Sequence, residues 1–406
     1  MAAVEEPGFR VLILTVGQTR EPLETALAEH TPNGVVFIAS QSSQVTVAPL
    51  LQEYGSSLKH YTLLIEDPES LIESYQIGQR ALAKALEWEA RVVLADLTGG
   101  TKPMVAGVML ALSGQGVTFS YVGGERRDRL GRVESGYERV RLLEDPSVRY
   151  GLREWEGFRR AWNAGNFPAG LDFLQGLLAR PLTHSEQRFY THLTGITEGL
   201  VEWDRFQHRE AQKKLARHLE PALAIAEAWG HGAKVRVLRA LEKAYERLEQ
   251  LLGEGNRPSF ALLADLMANA QRRAEAGRYD DALARLYRAV ELAAEADIHQ
   301  RHGLVLRRPD TYPKSLAALQ SRASSLRGLK ETLALAFELD TQTGHTGTLS
   351  QRLYGDYSQR LQNFLERRHH SILAHGTKAV SPADYTALWN YLAEYGLEAA
   401  PAWPKW

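Results

Sequence analysis

Short apolar runs alternate with helix-like segments through the first part of the chain, and this alternation constrains the fold more than any other feature. Five runs have the composition of buried strands: Val11–Val16, Val35–Ala39, Tyr61–Ile65, Arg91–Asp96 and Val117–Val122. Helix-like segments stand between them at Glu21–Glu29 and Leu71–Ala90 and, after the fourth run, at Lys102–Ser113. Continuous apolar strands separated by helices indicate a parallel sheet covered on both faces. The pattern predicts an α/β Rossmann-like domain with a mostly parallel sheet over residues 1–145.

Long amphipathic stretches replace this alternation after Val140. They run over Trp155–Trp162, Gly170–Leu178, Ser185–Trp203, Arg209–Ala228, Ala233–Leu252, Phe260–Ala276, Tyr279–Ala296, Pro313–Leu339, Leu349–Arg368 and Pro382–Tyr395. Gly253–Ser259 has the composition of a loop, and a His- and Arg-rich loop is expected over Ile298–Arg308. We therefore expect an all-α C-terminal half, with a helical linker region at 146–255 and a second domain at 256–406.

Composition excludes several classes of function. The chain has no cysteine, which rules out disulfides, thiolate catalysis and cysteine-ligated zinc. Its formal net charge of −1 gives no global attraction for nucleic acid, so any RNA contact must come from a local basic site. The apolar runs are too short to cross a bilayer, and the start MAAVEEPGF lacks a signal-peptide pattern. We expect a cytoplasmic protein without a membrane partner.

Polar stretches follow three of the predicted strands. They are Thr15–Leu23 (TVGQTREPL), Ser40–Ser42, and Asp96–Met104 (DLTGGTKPM). Because open parallel sheets bind ligands at the carboxyl ends of their strands, we expect these stretches to converge. Gly99 and Gly100 would let backbone N–H groups face an anion at a helix N-terminus, and Lys102 would add a full positive charge.

DLTGGTKPM also has other possible interpretations. The stretch could be a glycine-rich turn whose threonines only cap the next helix. NAD and ATP are disfavoured, because the first strand is not followed by G-x-G-x-x-G and Lys102 does not have the Walker spacing. An anionic, nucleotide-like ligand remains.

The second candidate site is RRHHSILAHG, Arg367–Gly376. Arg368 and His375 are seven residues apart and would lie on one face of a helix. An imidazole can move a proton near neutral pH, and a guanidinium can stabilise a phosphorane, so the pair suits attack of an RNA 2′-hydroxyl on the adjacent phosphate. Such a reaction needs no metal ion.

Two alternatives for RRHHSILAHG remain open. A basic helix end followed by Gly376 could simply satisfy the last carbonyl groups of the helix. A zinc site could use His369, His370 and His375, although no H-E-x-x-H pattern accompanies them.

TVGQTREPL and DLTGGTKPM resemble the signature loops of CARF domains, the Rossmann-fold sensors of CRISPR systems. The resemblance implies that two such domains pair side by side and bind a cyclic oligoadenylate, of four or six adenylates, across the two-fold axis. The ligand contacts that it implies are Gly17, Gln18, Thr19, Ser40, Gln41, Thr98, Gly99, Gly100, Thr101 and Lys102.

RRHHSILAHG is similar to the R-x(4–6)-H motif of HEPN ribonucleases, which in CRISPR accessory members often reads Arg-Asn-x-Ser-Ile-x-Ala-His-Gly. Arg368 and His375 take the catalytic positions, and His369 replaces the usual asparagine, so its auxiliary role is open. Ser371, Ala374 and Gly376 also match. Gly277–Glu295 resembles a helix of the same domain, in which we expect Arg288 and Glu291 to form a structural ion pair.

The two resemblances together imply a type III CRISPR accessory ribonuclease of the CARF–HEPN family. Such an enzyme would be a homodimer without a cofactor, would cleave single-stranded RNA without a metal ion, and would be activated by cyclic oligoadenylate. The alternative is a non-catalytic sensor with a helical docking or regulatory domain. An additional activity, cleavage of the activator by Thr15, Gln18 or Lys102, also remains open.

Overall fold

The computed structural model describes residues 8–55, 58–124, 126, 136–255, 257–323, 328–369, 377 and 379–406. The chain divides into two compact units, Met1–Glu154 and Trp155–Trp406, and each is described by itself. Within the described ranges, every helix is too short or too polar to cross a membrane.

A six-stranded sheet forms the centre of the first unit. The strands are β1 (Arg10–Thr15), β2 (Gly34–Ser40), β3 (Lys59–Ile65), β4 (Val92–Asp96), β5 (Thr118–Gly124) and β6 (Glu138–Leu143). Their order is β3-β2-β1-β4-β5-β6, with β1 to β5 parallel and β6 antiparallel to β5. The predicted mostly parallel sheet is confirmed. The direction of winding reverses between β1 and β4, which is where such sheets bind ligands.

Helices cover both faces of this sheet. They are α1 (Glu21–His30), α2 (Val47–Tyr54), α3 (Leu71–Glu87) and α4 (Lys102–Leu112), and the short α5 (Pro146–Arg149) follows β6 in the chain. Because side chains alternate along a strand, Val11 and Ile13 pack with α3 and α4, whereas Leu12 and Leu14 pack with α1 and α2. The Rossmann-like interpretation of the sequence is therefore confirmed.

The second unit is helical. Its elements are α6 (Leu152–Asn163), α7 (Phe167–Leu178), α8 (His184–Asp204), α9 (His208–Ala228), α10 (Gly232–Gly253), α11 (Phe260–Glu275), α12 (Tyr279–His302), α13 (Ala317–Ala323), α14 (Leu329–Gln342), α15 (Leu349–Gly355), α16 (Gln362–His369) and α17 (Pro382–Glu394). One apolar cluster joins α6 to α10 and another joins α11 to α17. The final residues return to the first cluster, where Trp162 Nε1 donates to the carbonyl oxygen of Pro404 at 2.8 Å.

Three helices differ from the sequence prediction. Helix α12 continues to His302, because Arg301 near its end bonds to the carboxylates of Asp297 and Asp340. Two helices, α13 and α14, replace the single helix predicted over Pro313–Leu339, and the second ends at Gln342. The helix predicted to end at Arg368 is interrupted by a π-helical turn at Tyr357–Leu361, between α15 and α16.

Candidate functional site

The loops that follow β1 and β4 touch each other at the reversal point of the sheet. Thr15 Oγ1 donates to the carbonyl oxygen of Asp96 at 3.2 Å. A Cβ on Gly99 would stand 2.3 Å from the carbonyl oxygen of Thr15, and a Cβ on Gly17 would stand 3.1 Å from the nitrogen of Gly100. These contacts leave no room for a side chain at Gly99. The sheet therefore brings together the two stretches that the sequence singled out.

A buried polar network lies at the start of the second loop. Asp96 Oδ1 accepts from the N–H of Thr98 at 3.0 Å, and its Oδ2 accepts from Ser120 Oγ at 2.7 Å. The Ser120 hydroxyl also lies 2.8 Å from His30 Nε2. Burial raises the pKa of Asp96 despite the opposing hydrogen bonds from Thr98 and Ser120, and burial lowers the pKa of His30. The network therefore holds the backbone of Thr98 in place at the start of the loop.

The hydroxyl groups of both loop threonines are already engaged. Thr98 Oγ1 accepts from the N–H of Val122 at 2.7 Å. Thr101 Oγ1 caps α4 by accepting a backbone N–H at 3.3 Å, and it donates to the carbonyl oxygen of Pro68. The capping interpretation thus describes Thr101. Lys102, the first residue of α4, is exposed and pairs with no carboxylate among the described residues.

The segment after β2 is held by its own serines. Ser40 Oγ lies 3.0 Å from Ser42 Oγ and 3.1 Å from Ser43 Oγ. Thr46 Oγ1 donates to the carbonyl oxygen of Gly17 at 3.3 Å, which links this segment to the loop after β1. The exposed side chains of the predicted ligand set are those of Gln18, Thr19, Gln41 and Lys102.

The predicted catalytic residues fall at the edge of what the structure describes. Arg368 and His369 belong to the last turn of α16, but their side chains lie outside the described part. His375 and its neighbours at 370–376 lie outside the described residues altogether. The pairing of Arg368 with His375 therefore stays a prediction.

The described residues on either side of this segment pack on neighbouring helices. Before it, the ring of Phe364 in α16 lies 5.4 Å from that of Tyr391 in α17. After it, the N–H of Val380 donates to Asp280 Oδ2 in α12 at 3.4 Å. Helices α12, α16 and α17 thus hold both flanks of RRHHSILAHG.

Arg288 and Glu291 form the expected ion pair, with Arg288 Nη1 3.0 Å from Glu291 Oε2. The network is larger than the sequence indicated, because Arg288 Nη2 also pairs with the buried Glu295 at 2.7 Å. Arg307 Nε donates to the same Glu295 at 2.9 Å. Four charged groups that lie close together satisfy one another, which agrees with a structural role.

The described residues contain one group with the spacing of metal ligands, His302, Asp340 and His345. His302 Nε2 lies 3.2 Å from Asp340 Oδ1. The Asp340 carboxylate also accepts from Arg301 and, at 2.6 Å, from Thr348 Oγ1. Its lone pairs are therefore satisfied by protein donors, and these hydrogen bonds lower the pKa of Asp340 despite its burial.

Two family models match the helical part of the chain. The model of the Csm6 6H domain matches residues 150–245, and that of the Csm6 HEPN domain matches residues 251–397. Together they span more than half of the sequence. No curated protein matches the chain.

Solved structures give more distant likenesses. Csm6 of Enterococcus italicus, bound to cyclic hexa-2′-fluoro-hexa-dAMP, is 11% identical over 95% of this chain and 93% of that one, with a TM-score of 0.45. Can2 of Sulfobacillus thermosulfidooxidans, in complex with cyclic tetra-adenylate, is 15% identical over 50% of this chain and 68% of that one, with a TM-score of 0.26. The two domain matches, rather than these structural likenesses, show to which family the chain belongs.

Proposed function

The chain belongs to the Csm6 family of CARF–HEPN accessory proteins of type III CRISPR systems, and on this premise we propose that it is an endoribonuclease activated by cyclic oligoadenylate. The observation that carries the proposal is the position of RRHHSILAHG inside the residues matched as a Csm6 HEPN domain, 251–397. The Rossmann-like unit would bind the activator, and the helical unit would cleave RNA.

The proposed reaction uses the RNA's own 2′-hydroxyl as nucleophile. The 2′-oxygen attacks the adjacent phosphorus and loses its proton to His375, while the bond from phosphorus to the 5′-oxygen breaks. The leaving 5′-oxygen takes up a proton, so the products are a 2′,3′-cyclic phosphate and a 5′-hydroxyl. Arg368 stabilises the charge on the phosphorane oxygens, and His369 takes the auxiliary polar position.

This chemistry requires neither a metal ion nor a cofactor, because the nucleophile is part of the substrate. We place one Arg368–His375 pair from each protomer of a homodimer at a shared active site. Two imidazoles then supply the base and the acid. The substrate class that fits is single-stranded RNA, whose sugar and phosphate can adopt the in-line geometry.

The activator site is proposed at the reversal point of the sheet, with Gly17, Gln18, Thr19, Ser40, Gln41 and Thr98–Lys102 as contacts. Three observations support an anionic ligand there: the close approach of Gly99 to Thr15, the N-terminus of α4, and Lys102, which has no carboxylate partner among the described residues. Activation requires that the ring bind the active arrangement of the dimer more tightly than the resting one.

The test is cleavage of a fluorescent single-stranded RNA with and without cyclic tetra-adenylate or hexa-adenylate. We expect one ring to switch on cleavage in the wild type, and His375→Ala to abolish it while binding the ring normally. His370→Ala, a change to a neighbouring histidine, is the matched control and should remain active. Ring binding without any RNA cleavage in the wild type would instead support the non-catalytic sensor.

A further inference from the structure

A cavity of about 540 Å³ opens between the residues matched as the 6H domain and those matched as the HEPN domain. We call it the arginine pocket, and its charged lining residues are Asp204, Arg205, Arg272, Arg273, Arg278 and Asp281. Four guanidinium groups face two carboxylates in a chain whose net charge is only −1. The pocket is therefore a local concentration of positive charge.

Two of the arginines form a fixed part of the wall. Arg272 Nε donates to Asp204 Oδ1 at 3.1 Å, and Arg273 pairs with the other oxygen of the same carboxylate. The guanidinium carbon of Arg272 lies 3.7 Å from the ring centre of Trp403, which holds its plane in place. Their positions are set before any ligand arrives.

These two arginines have hydrogen-bond donors left over. Arg272 Nη2 and Arg273 Nε are buried and have no hydrogen-bond acceptor among the described residues. Burial lowers the pKa of Arg272, although the charge of Asp204 opposes the shift. Arg273 Nε also faces Asp281 Oδ2 at 3.7 Å. Because both donor atoms are buried, these two arginines add positive charge to the wall, and direct contact with a ligand is left to the exposed arginines.

The other two arginines stand at the entrance. The Arg205 side chain is 63% exposed, and its nearest carboxylate, Glu202, is 3.9 Å away. Arg278 is also exposed and pairs with no carboxylate in the described part of the chain. The N-terminus of α7 lies at the same pocket through its cap residue Asn166 and adds the positive end of a helix dipole. Every charged group not already neutralised here is a cation.

We propose that the arginine pocket binds phosphate groups of the single-stranded RNA substrate. This inference rests on the proposed ribonuclease function, because it identifies where the RNA backbone is held beyond the Arg368–His375 pair. Guanidinium groups bind phosphate oxygens through paired N–H donors, and several fixed guanidiniums can follow a strand without reading its bases. A chain with no overall positive charge needs such a local site to retain RNA.

The test measures RNA binding directly, so that it does not depend on cleavage. Arg205→Glu/Arg278→Glu changes two exposed entrance residues, and Arg217→Glu/Arg236→Glu is the matched control, with two exposed arginines that do not line the pocket. The probe is a fluorescent 2′-O-methyl RNA, which lacks the nucleophile, and anisotropy is recorded over a series of salt concentrations. Arg205→Gln/Arg278→Gln is made in addition, and circular dichroism checks the folding of all variants.

We expect the entrance variant to bind RNA about twentyfold more weakly near 0.1 M salt than the wild type or the control. Each phosphate contact to a single strand contributes about 0.7 to the slope of log affinity against log salt concentration, and the variant loses two contacts. The slope itself should fall by about 1.4. The glutamine variant should show a smaller effect in the same direction.

Three other outcomes are distinguishable. If all variants bind RNA with equal affinity and slope, the pocket proposal is wrong, whatever the cleavage assay gives. Reduced affinity for cyclic oligoadenylate in the entrance variant alone, with RNA binding unchanged, would assign the phosphates to the activator and also overturn it. If the wild type binds the probe through the pocket but cleaves no RNA with either ring, the ribonuclease function fails while the binding site stands.

Discussion

Gly99 lies against the carbonyl oxygen of Thr15, so closely that a methyl group on its Cα would stand 2.3 Å from that oxygen. The two residues belong to the loops that follow β4 and β1. Because a real Cβ does not approach an oxygen to this distance, the contact is possible only for glycine at residue 99. The two loops that form the proposed activator site therefore depend on one missing side chain.

Gly99→Ala should separate the two loops and weaken binding of the activator. The added methyl would meet backbone atoms of Thr15 and Gly17, neither of which can rotate away. We expect at least a tenfold loss of affinity for cyclic oligoadenylate, measured by calorimetry, with a folded Rossmann-like unit. Gly55→Ala is the control, since its nearest contact is an ordinary 3.4 Å to Leu51. Equal affinities for the two variants would show that the loop contact does not shape the site.

Lys102→Ala should also weaken activator binding, but for a different reason. Lys102 supplies a full positive charge at the N-terminus of α4 without a carboxylate partner among the described residues. A hydrogen bond to a charged group contributes about 1.5–3 kcal/mol, so affinity should fall about ten- to hundredfold. The RNA-cleavage rate at saturating activator should be preserved.

The control for this change is Lys84→Ala, because the ammonium group of Lys84 in α3 already pairs with Glu87 at 2.8 Å. If both lysine variants need the same activator concentration as the wild type for half-maximal cleavage, Lys102 does not contact the ring.

Asp96 should tolerate asparagine but not alanine. An amide oxygen can still accept from the N–H of Thr98, and the amide group can donate to Ser120 Oγ. Alanine removes the acceptor of the Thr98 N–H and leaves Ser120 Oγ with His30 as its remaining partner, and it should reduce the free energy of unfolding by about 1–3 kcal/mol. Urea unfolding of the two variants measures the difference. If both lose the same stability, the hydrogen bonds of Asp96 are not what stabilises the loop.

Removal of divalent metal ions should leave RNA cleavage unchanged. The proposed nucleophile is the 2′-hydroxyl, and in the proposed reaction Arg368 stabilises the phosphorane in place of a metal ion. Cleavage rates with activator are compared before and after treatment with EDTA at constant ionic strength. Loss of activity that added Mg²⁺ or Mn²⁺ restores would contradict the metal-independent reaction.

The sequence predicted those elements whose signal is local. Five apolar runs identify β1 to β5, and the expected convergence of strand ends places the stretch that contains Gly17 near the stretch that contains Gly99. Strand β6 was missed because it lies at the edge of the sheet and its side chains are mostly exposed, so it lacks an apolar run. Helix α2 was also missed, because it is only 8 residues long and follows a polar cluster.

Features that join distant parts of the chain could not be predicted from the sequence. Arg301 and His302 give the end of α12 a loop-like composition, yet Asp340 holds both from α14. Ser120 and His30 looked like ordinary members of a strand and a helix, because their partner Asp96 is far away in sequence. The arginine pocket has the same origin, since Asp204 meets Arg273 only in the folded chain.

A pair of histidines in the 6H domain provides one more relationship of this kind. His192 in α8 and His218 in α9 place their Nδ1 atoms 3.1 Å apart, so one ring donates and the other must be unprotonated at Nδ1. Burial lowers the pKa of both, and the nearby Arg217 lowers each further. The hydrogen bond cannot form when both Nδ1 atoms carry a proton, and burial disfavours the charged form of each ring.

Acidification should destabilise the helical unit through this pair. Histidines of the unfolded chain take up protons near pH 6.5, whereas these two do so only at lower pH, so the unfolded state binds more protons below about 6.5. The contribution of the pair to the free energy of unfolding should be fully present above about pH 6.5. Below that pH it should fall, by at most about 1.4 kcal/mol per histidine for each pH unit. Thermal unfolding at several pH values between about 5.5 and 7.5 measures the effect. His192→Asn/His218→Asn should flatten the dependence and leave the contribution of His30, whose pKa is also lowered by burial. His184→Asn, at an exposed position, should follow the wild type, and identical pH profiles for all three proteins would remove the pair as its source.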